Sequence, residues 1–280
     1  MQPQHHFVTC LDLEIHYTSW GNPQSPAVIA WHGLTRTGRD FDELAAALSQ
    51  HYFVICPDTP GRGLSQWSDT PELTYTVPFY AKLALDLLEQ LGIEQCHWVG
   101  TSMGGLIGMV VAAIAPDRIK RMVLNDIGPE VPLAAVERIR TYAGLQPEFN
   151  SLGELETWLR QVYVPFGKNT DAFWQRMART SARRTDAGKI TLHYDARLVI
   201  PFHSYDGATL WDLWPLLNCP ILVLRGEGSD VLLAEHLERM LQENQRASAV
   251  TLKDVAHAPT LANAEQIQLV ADFLAATETL

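Results

Sequence analysis

The segment Gly100-Thr101-Ser102-Met103-Gly104-Gly105 follows the short apolar run Cys96-His97-Trp98-Val99 and precedes a second one, Leu106 to Ala112. A strand that turns at once into a helix leaves little room. The serine at the turn sits in a strained backbone conformation, and side chains two residues before and after it would collide with the turn, so only glycine or something equally small fits at 100 and 104. In exchange the hydroxyl stands clear of the sheet. The N–H of Met103, at the start of the helix, points at any oxyanion formed beside it. The G-x-S-x-G pattern therefore reads as a nucleophile elbow carrying Ser102.

A serine hydroxyl is a poor nucleophile at neutral pH, so the pattern requires a histidine base and a carboxylate to hold its tautomer. Both are found downstream. Pro220 to Gly226 is an apolar run that reads as a buried parallel strand ending in the turn Glu227-Gly228-Ser229-Asp230, which places Asp230 at the carboxyl end of that strand. Ala249 to Leu252 reads as a further strand, and the loop after it carries His257. Sites of open α/β sheets form at the carboxyl ends of the strands, so Ser102, His257 and Asp230 are expected on one edge.

Val28 to Trp31 is another apolar strand, running into His32-Gly33-Leu34-Thr35-Arg36. The loop after it supplies a second oxyanion donor, the N–H of Leu34. His32, just before a glycine at a strand end, reads as a brace of that loop. Among the other acids, Asp126 follows the run Arg121 to Asn125 and is the alternative partner for His257, with loop bracing as its other reading. Asp58 organises the glycine-rich turn behind it, and Asp254 lies too close in the chain to His257 to orient its ring.

The residues His32-Gly33, the segment Pro57-Asp58-Thr59-Pro60-Gly61-Arg62-Gly63-Leu64-Ser65, the elbow at Ser102, the turn ending in Asp230 and the His257 loop together resemble the α/β-hydrolase superfamily. The resemblance implies a mostly parallel central sheet with helices on both faces, Ser102 as nucleophile, His257 as base, Asp230 as acid, and an oxyanion hole from Leu34 and Met103. It implies no cofactor. Relatives commonly carry glycine before the histidine, where this chain has Ala256. Some members of the superfamily place their acid at the position of Asp126.

Along the chain, Phe7 to Trp20 alternates like an amino-terminal hairpin, with Gly21-Asn22-Pro23 as turn chemistry. Helix and strand then alternate as in a sheet covered on both faces. From Gly128 to about Leu210 the texture becomes helical, charged and aromatic, and the strand rhythm resumes after Cys219, closing with a helix from about Ala264 to Thr277. The expected organisation is a core of 1–127 and 211–280 with a helical cap, 128–210, inserted over the active-site edge. Trp158, Phe173 and Trp174 of the cap are candidates for an apolar substrate pocket. Arg36, close after the oxyanion loop, is a candidate substrate contact, as are Arg176, Arg179, Arg183 and Arg184, which share helical spacing.

With 280 residues, 47% of them hydrophobic, the chain can bury one large core. A net charge of −11 argues against nucleic acid or an anionic membrane surface as partner. The first residues lack the basic and apolar regions of an export signal, so a cytoplasmic location is expected. The four cysteines are scattered in or beside apolar strands and read as small buried hydrophobes. No His, Cys and carboxylate grouping has metal-ligand spacing. These readings point to a hydrolase that cleaves a small to medium ester, or a lactone, through an acyl-enzyme. Carbon–carbon bond hydrolysis on the same triad is a rival that would require cap arginines facing Ser102, and a cofactor-free oxygenase or a non-catalytic small-molecule receptor on the same fold are further rivals.

Overall fold

The central strands are apolar at successive positions, and such strands must be buried on both faces. Val28, Ala30, Val54, Val99, Val123, Leu222 and Leu224 join one buried cluster, whereas the alternating Ile29, Trp31, Ile55, Trp98, Met122, Leu124, Ile221 and Val223 join the other. The computed structural model, which describes residues 2–204, 207 and 209–276, places a sheet between these two cores.

In chain order the elements are β1 (Gln4–Cys10), β2 (Leu13–Trp20), β3 (Ala27–Trp31), α1 (Asp42–Leu48), β4 (Phe53–Pro57), α2 (Pro71–Thr74), α3 (Val77–Gln90), β5 (Cys96–Thr101), α4 (Met103–Ile114), β6 (Ile119–Asn125), α5 (Leu133–Ala143), α6 (Leu152–Val162), α7 (Asp171–Ser181), β7 (Ala182–Arg184), β8 (Ile190–Leu192), β9 (Ile221–Gly226), α8 (Ala234–Glu243), β10 (Ala247–Leu252) and α9 (Ala264–Ala275). Eight strands form one sheet in the order β1-β2-β4-β3-β5-β6-β9-β10. All neighbours from β4 to β10 are parallel, and β1 and β2 form an antiparallel edge. Helices α1 and α9 cover one face, with Leu44, Leu48, Val270 and Leu274 in its core. Helices α3, α4 and α8 contribute Leu83, Leu87, Ile107, Val111 and Met240 to the other.

The amino-terminal hairpin forms, but its turn is Leu11-Asp12, both at positive φ (47° and 63°), as the right-handed twist of a two-residue hairpin loop requires. Leucine seldom adopts this backbone, which is why composition pointed to Gly21 instead. The last helix ends at Ala275, and Thr277, where it was expected to stop, lies outside the described residues. Between β6 and β9 the chain holds α5, α6 and α7, as the helical texture suggests, and also the small antiparallel ribbon β7–β8. Arg183 and Arg184 therefore lie on a strand and do not extend the helical face of Arg176 and Arg179. Among the described residues no helix is long and apolar enough to cross a membrane. Cys10, Cys56, Cys96 and Cys219 are buried free thiols.

The crossing of α4 over β3 fixes the site. Trp31 and Trp98 stack at 5.5 Å, and the Trp98 indole N–H donates to the Gly104 carbonyl at 3.0 Å, which draws the first turn of α4 onto the sheet. A Cβ on Gly104 would lie 2.0 Å from the Trp31 carbonyl oxygen, and one on Gly100 would lie 2.4 Å from the Gly104 oxygen. The obstacle in both cases is backbone, which cannot swing aside. Gly104→Ala is accordingly expected to lower stability by about 1–3 kcal/mol through overpacking. Gly153→Ala, at an open and exposed position of α6 where the nearest outside atom is 3.8 Å from the added Cβ, is expected to raise it by about 0.5–1 kcal/mol. Urea unfolding midpoints of the two variants check both signs.

Candidate active site

Ser102 caps α4 with φ 51° and ψ −117°, a left-handed, strained conformation that sets its side chain off the end of β5. His257 lies on the loop after β10. Its Nε2 is 3.0 Å from Ser102 Oγ, and its Nδ1 is 2.7 Å from Asp126 Oδ2. A carboxylate only accepts, so Nδ1 carries the proton and Nε2 is left with a lone pair facing the serine hydroxyl.

Asp126 follows directly on β6, at φ 57°, and is fully buried. A buried carboxylate is tolerated only when its lone pairs are taken up. The Gly226 N–H donates to Oδ1 at 2.8 Å, the Ser229 hydroxyl donates to Oδ2 at 2.6 Å, and His257 supplies the third hydrogen bond. Asn125 beside it donates its side-chain N–H to Thr101 Oγ1 and to the Pro259 carbonyl, tying β6 to the elbow and to the histidine loop. This geometry corrects the expectation that Asp230 partners His257. Asp230 turns away from the site, is half exposed, and forms a two-pronged ion pair with Arg138 at 2.5 and 2.9 Å. The turn after β9 does serve the triad-like chain, but through Ser229.

The loop after β3 packs against the serine from the other side: a Cβ on Gly33 would lie 3.7 Å from Ser102 Cβ. Among the described residues neither the Leu34 N–H nor the Met103 N–H donates to a protein acceptor. His32 braces this loop. Buried out of contact with solvent, it accepts from the Thr59 N–H at 2.9 Å and donates through Nδ1 to the Gly33 carbonyl at 2.6 Å. Arg62, in the glycine-rich turn after β4, is 0% exposed and has no acidic side chain within ion-pair distance among the described residues. Its guanidinium donates to the Leu34 and Pro60 carbonyls and to the Tyr80 hydroxyl, and it touches the sulfur of Met103. It thus contacts both residues expected to supply the oxyanion donors. The sequence showed the glycine-rich turn but carried no sign that the arginine within it points inward.

The sequence matches the profile of the alpha/beta hydrolase family over residues 28–269. The chain belongs to that family. It is 38% identical to a 3-hydroxybutyrate-oligomer hydrolase of Cupriavidus necator, with 97% of each chain covered. It is 28% identical to a 2-(acetamidomethylene)succinate hydrolase of Mesorhizobium japonicum over 76% of this chain and 75% of that one. A crystal structure of an alpha/beta hydrolase from Novosphingobium aromaticivorans superposes with a TM-score of 0.88 at 36% identity, covering 97% of this chain and 98% of that one.

In this alpha/beta hydrolase a cavity of about 70 Å³ lies over Ser102 and His257, lined among others by Leu34, Arg36, Arg138, Tyr142, Tyr163 and Phe166. A second lobe of about 30 Å³ shares Gly33, Arg36, Thr101, Phe166 and Ala258 with it and reaches Phe173 and Thr260. Of the expected pocket residues, Arg36 and Phe173 therefore line these lobes. Arg36 is buried, though, with Nε and Nη2 forked onto Asp40 and its guanidinium over the Tyr163 ring. Trp158 and Trp174 do not line them: Trp158 packs on Phe149 in the core, and Trp174 is buried beneath Arg160. Arg176 is paired with Glu43, Arg183 lies over Trp67, and Arg179 faces a cleft of about 910 Å³ that none of Ser102, His257 and Asp126 lines. Ala256 is not at positive φ, so its backbone does not require glycine. Asp254 is exposed, as expected of a loop residue.

Burial holds the His32 imidazole down to a pKa of about 4, and the same cause brings His97 to about 4. The unfolded chain takes up these protons near pH 6.5, whereas the folded chain does not until about pH 4. Stability is then complete above about pH 6.5 and falls as the pH is lowered through this window, by about 3 kcal/mol for His32 if its neutral form is fully retained. Urea unfolding between pH 7 and pH 4.5 measures the slope. It should flatten in His32→Gln, and a profile as steep as wild type would assign the slope to other groups.

Proposed function

We propose that this protein is a serine hydrolase that cleaves short carboxylic esters through an acyl-enzyme. The observation that carries the reading is the hydrogen-bonded chain Asp126–His257–Ser102, in which the tautomer fixed by the carboxylate leaves Nε2 3.0 Å from the serine hydroxyl. In the first half-reaction His257 Nε2 takes the Ser102 proton as Oγ bonds to the ester carbonyl carbon. The Leu34 and Met103 N–H groups receive the oxyanion. Collapse breaks the bond to the alkoxy oxygen, which leaves with the proton from His257. Water, deprotonated by His257, then attacks the acyl-serine, and collapse returns the proton to Ser102 and frees the acid. Asp126 keeps its charge throughout and stabilises the imidazolium.

Two small lobes, far below the 300–1,000 Å³ of a typical ligand pocket, favour short acyl and alcohol portions. An oligomer of 3-hydroxybutyrate is a chain of just such ester units. The likeness to an oligomer hydrolase at 97% coverage supports hydroxy-acid esters as the substrate class. Residues 128–210 act in this reading as a cap whose helices α5 and α6 close the mouth.

Turnover of a p-nitrophenyl ester series, with a fluorophosphonate probe read by intact mass, tests the assignment. Acetyl and butyryl esters should be cleaved well and the octanoyl ester poorly. Wild type should take a single adduct that Ser102→Ala does not. Asp126→Asn should lower kcat by roughly 10³–10⁴, whereas Asp230→Asn should change it by less than about tenfold, as expected for an exposed pair. An adduct that persists in Ser102→Ala would overturn the nucleophile, and equal losses in the two aspartate variants would overturn the acid.

A further inference from the structure

Two cationic side chains line the cavity over Ser102, and they are differently engaged. Arg36 is buried, and its fork is closed on Asp40 with Tyr163 against its face. Arg138, on α5, stands at the mouth: its side chain is 40% exposed and its partner Asp230 is 48% exposed. Asp230 occupies the edge made by Nε and Nη2, with its oxygens at 2.5 and 2.9 Å. A guanidinium carries five N–H donors. Asp230 leaves the edge made by Nη1 and the second Nη2 hydrogen, and the Tyr142 side chain, which is hydrogen-bonded to this guanidinium, can take up only one of those remaining donors. Tyr142, one turn further along α5, lines the same cavity, and burial pushes its phenol up to about 12, so that it stays protonated and able to donate.

We propose that Arg138 is a specificity-determining residue: the donors that Asp230 leaves, beside the Tyr142 hydroxyl, bind a carboxylate carried by the substrate, so the preferred esters bear a free acid close to the scissile bond. The inference rests on the serine-hydrolase reading above. Geometry limits the distance, because a cavity of about 70 Å³ holds Ser102 and Arg138 on one wall system and a substrate spanning both must be short. The protein's net charge of −11 opposes an anionic substrate at long range, and a local, geometrically matched cation at the mouth offsets that. Asp230 holds the guanidinium across the mouth without closing its second edge. The terminal unit of a hydroxy-acid oligomer has the required form, an ester oxygen and a carboxylate separated by a short carbon chain.

The dimer of 3-hydroxybutyrate as its free acid and as its carboxamide separates charge from shape. Wild type should favour the acid over the amide in kcat/KM by about ten- to hundredfold, the range of a charge-assisted pair. Arg138→Gln should bring the ratio close to one through KM of the acid, Arg138→Lys should retain part of it, and Arg184→Gln, at an exposed position of β7, should keep the wild-type ratio. Absence of an acid preference in wild type, or its survival in Arg138→Gln, overturns the proposal. Hydrolysis of p-nitrophenyl butyrate separates the two readings. If that ester is cleaved in a Ser102-dependent way but the acid is not preferred, Arg138 alone is misassigned. If neither it nor the dimers are cleaved, the serine-hydrolase reading falls and the carboxylate site with it.

Discussion

A carboxylate buried at the end of β6 is the constraint on which the rest of the site depends. Removing Asp126 from water is tolerable only because three donors converge on it, and these come from three different parts of the chain: the last residue of β9, the turn behind it, and the loop behind β10. The same hydrogen bonds that satisfy the charge therefore draw three strand ends together. Asn125 adds a fourth connection, from β6 to the elbow and to Pro259. The histidine is oriented as a consequence of solving a burial problem, and its Nε2 reaches the serine because β5 and β6 are neighbours in the sheet.

This dependence explains which parts of the site could be read from the sequence. Ser102 was legible because its surroundings are dictated locally: glycine at 100 and 104 is required by backbone atoms within a few ångströms, and a strand and helix flank it. His257 followed from the order of strands. The acid did not follow, because Asp126 and Asp230 both trail an apolar strand and both face the same sheet edge. What separates them is tertiary. Asp126 carries a positive φ that turns it inward under Gly226, whereas Asp230 comes one residue after the serine that serves Asp126 and meets Arg138 outside. The arginine of the mouth was missed for a related reason. Helical spacing singled out Arg176 and Arg179, yet α7 directs Arg176 onto Glu43, and only contacts between α5 and the turn after β9 place Arg138 over the serine.

Arg62 shows the same limit from the cationic side. A fully buried guanidinium without a carboxylate is costly unless its donors are spent on oxygens, and here they go to two carbonyls and a phenol, with the Tyr75 and Tyr80 rings against its face. The turn that holds it is itself stitched to the inserted segment, by the Gly63 N–H to the His193 carbonyl and the Asp195 N–H to the Gly61 carbonyl. The sheet, the loop after β3 and the segment between β6 and β9 are thus joined through one turn, and a positive charge sits beside Leu34 and Met103.

Charge placement and cavity size together narrow the chemistry further than the fold does. A cleft of about 910 Å³ is lined by none of Ser102, His257 and Asp126, while the space beside the serine is divided into two lobes of about 70 and 30 Å³. Under the proposed function the two lobes favour a short acyl chain over a long one, and a nonpolar ester gains little from a mouth bordered by a guanidinium and two tyrosines. Under the proposed function a short ester with an acid at one end gains at both: its carbonyl meets the Leu34 and Met103 N–H groups while its carboxylate displaces water from a half-exposed arginine that Asp230 already holds in position. Preorganisation by Asp230 means that little side-chain entropy is lost when that carboxylate arrives. Under the proposed function, the aspartate that the sequence pointed to as the catalytic acid bears on which ester is chosen, while Asp126 bears on how fast it is cleaved.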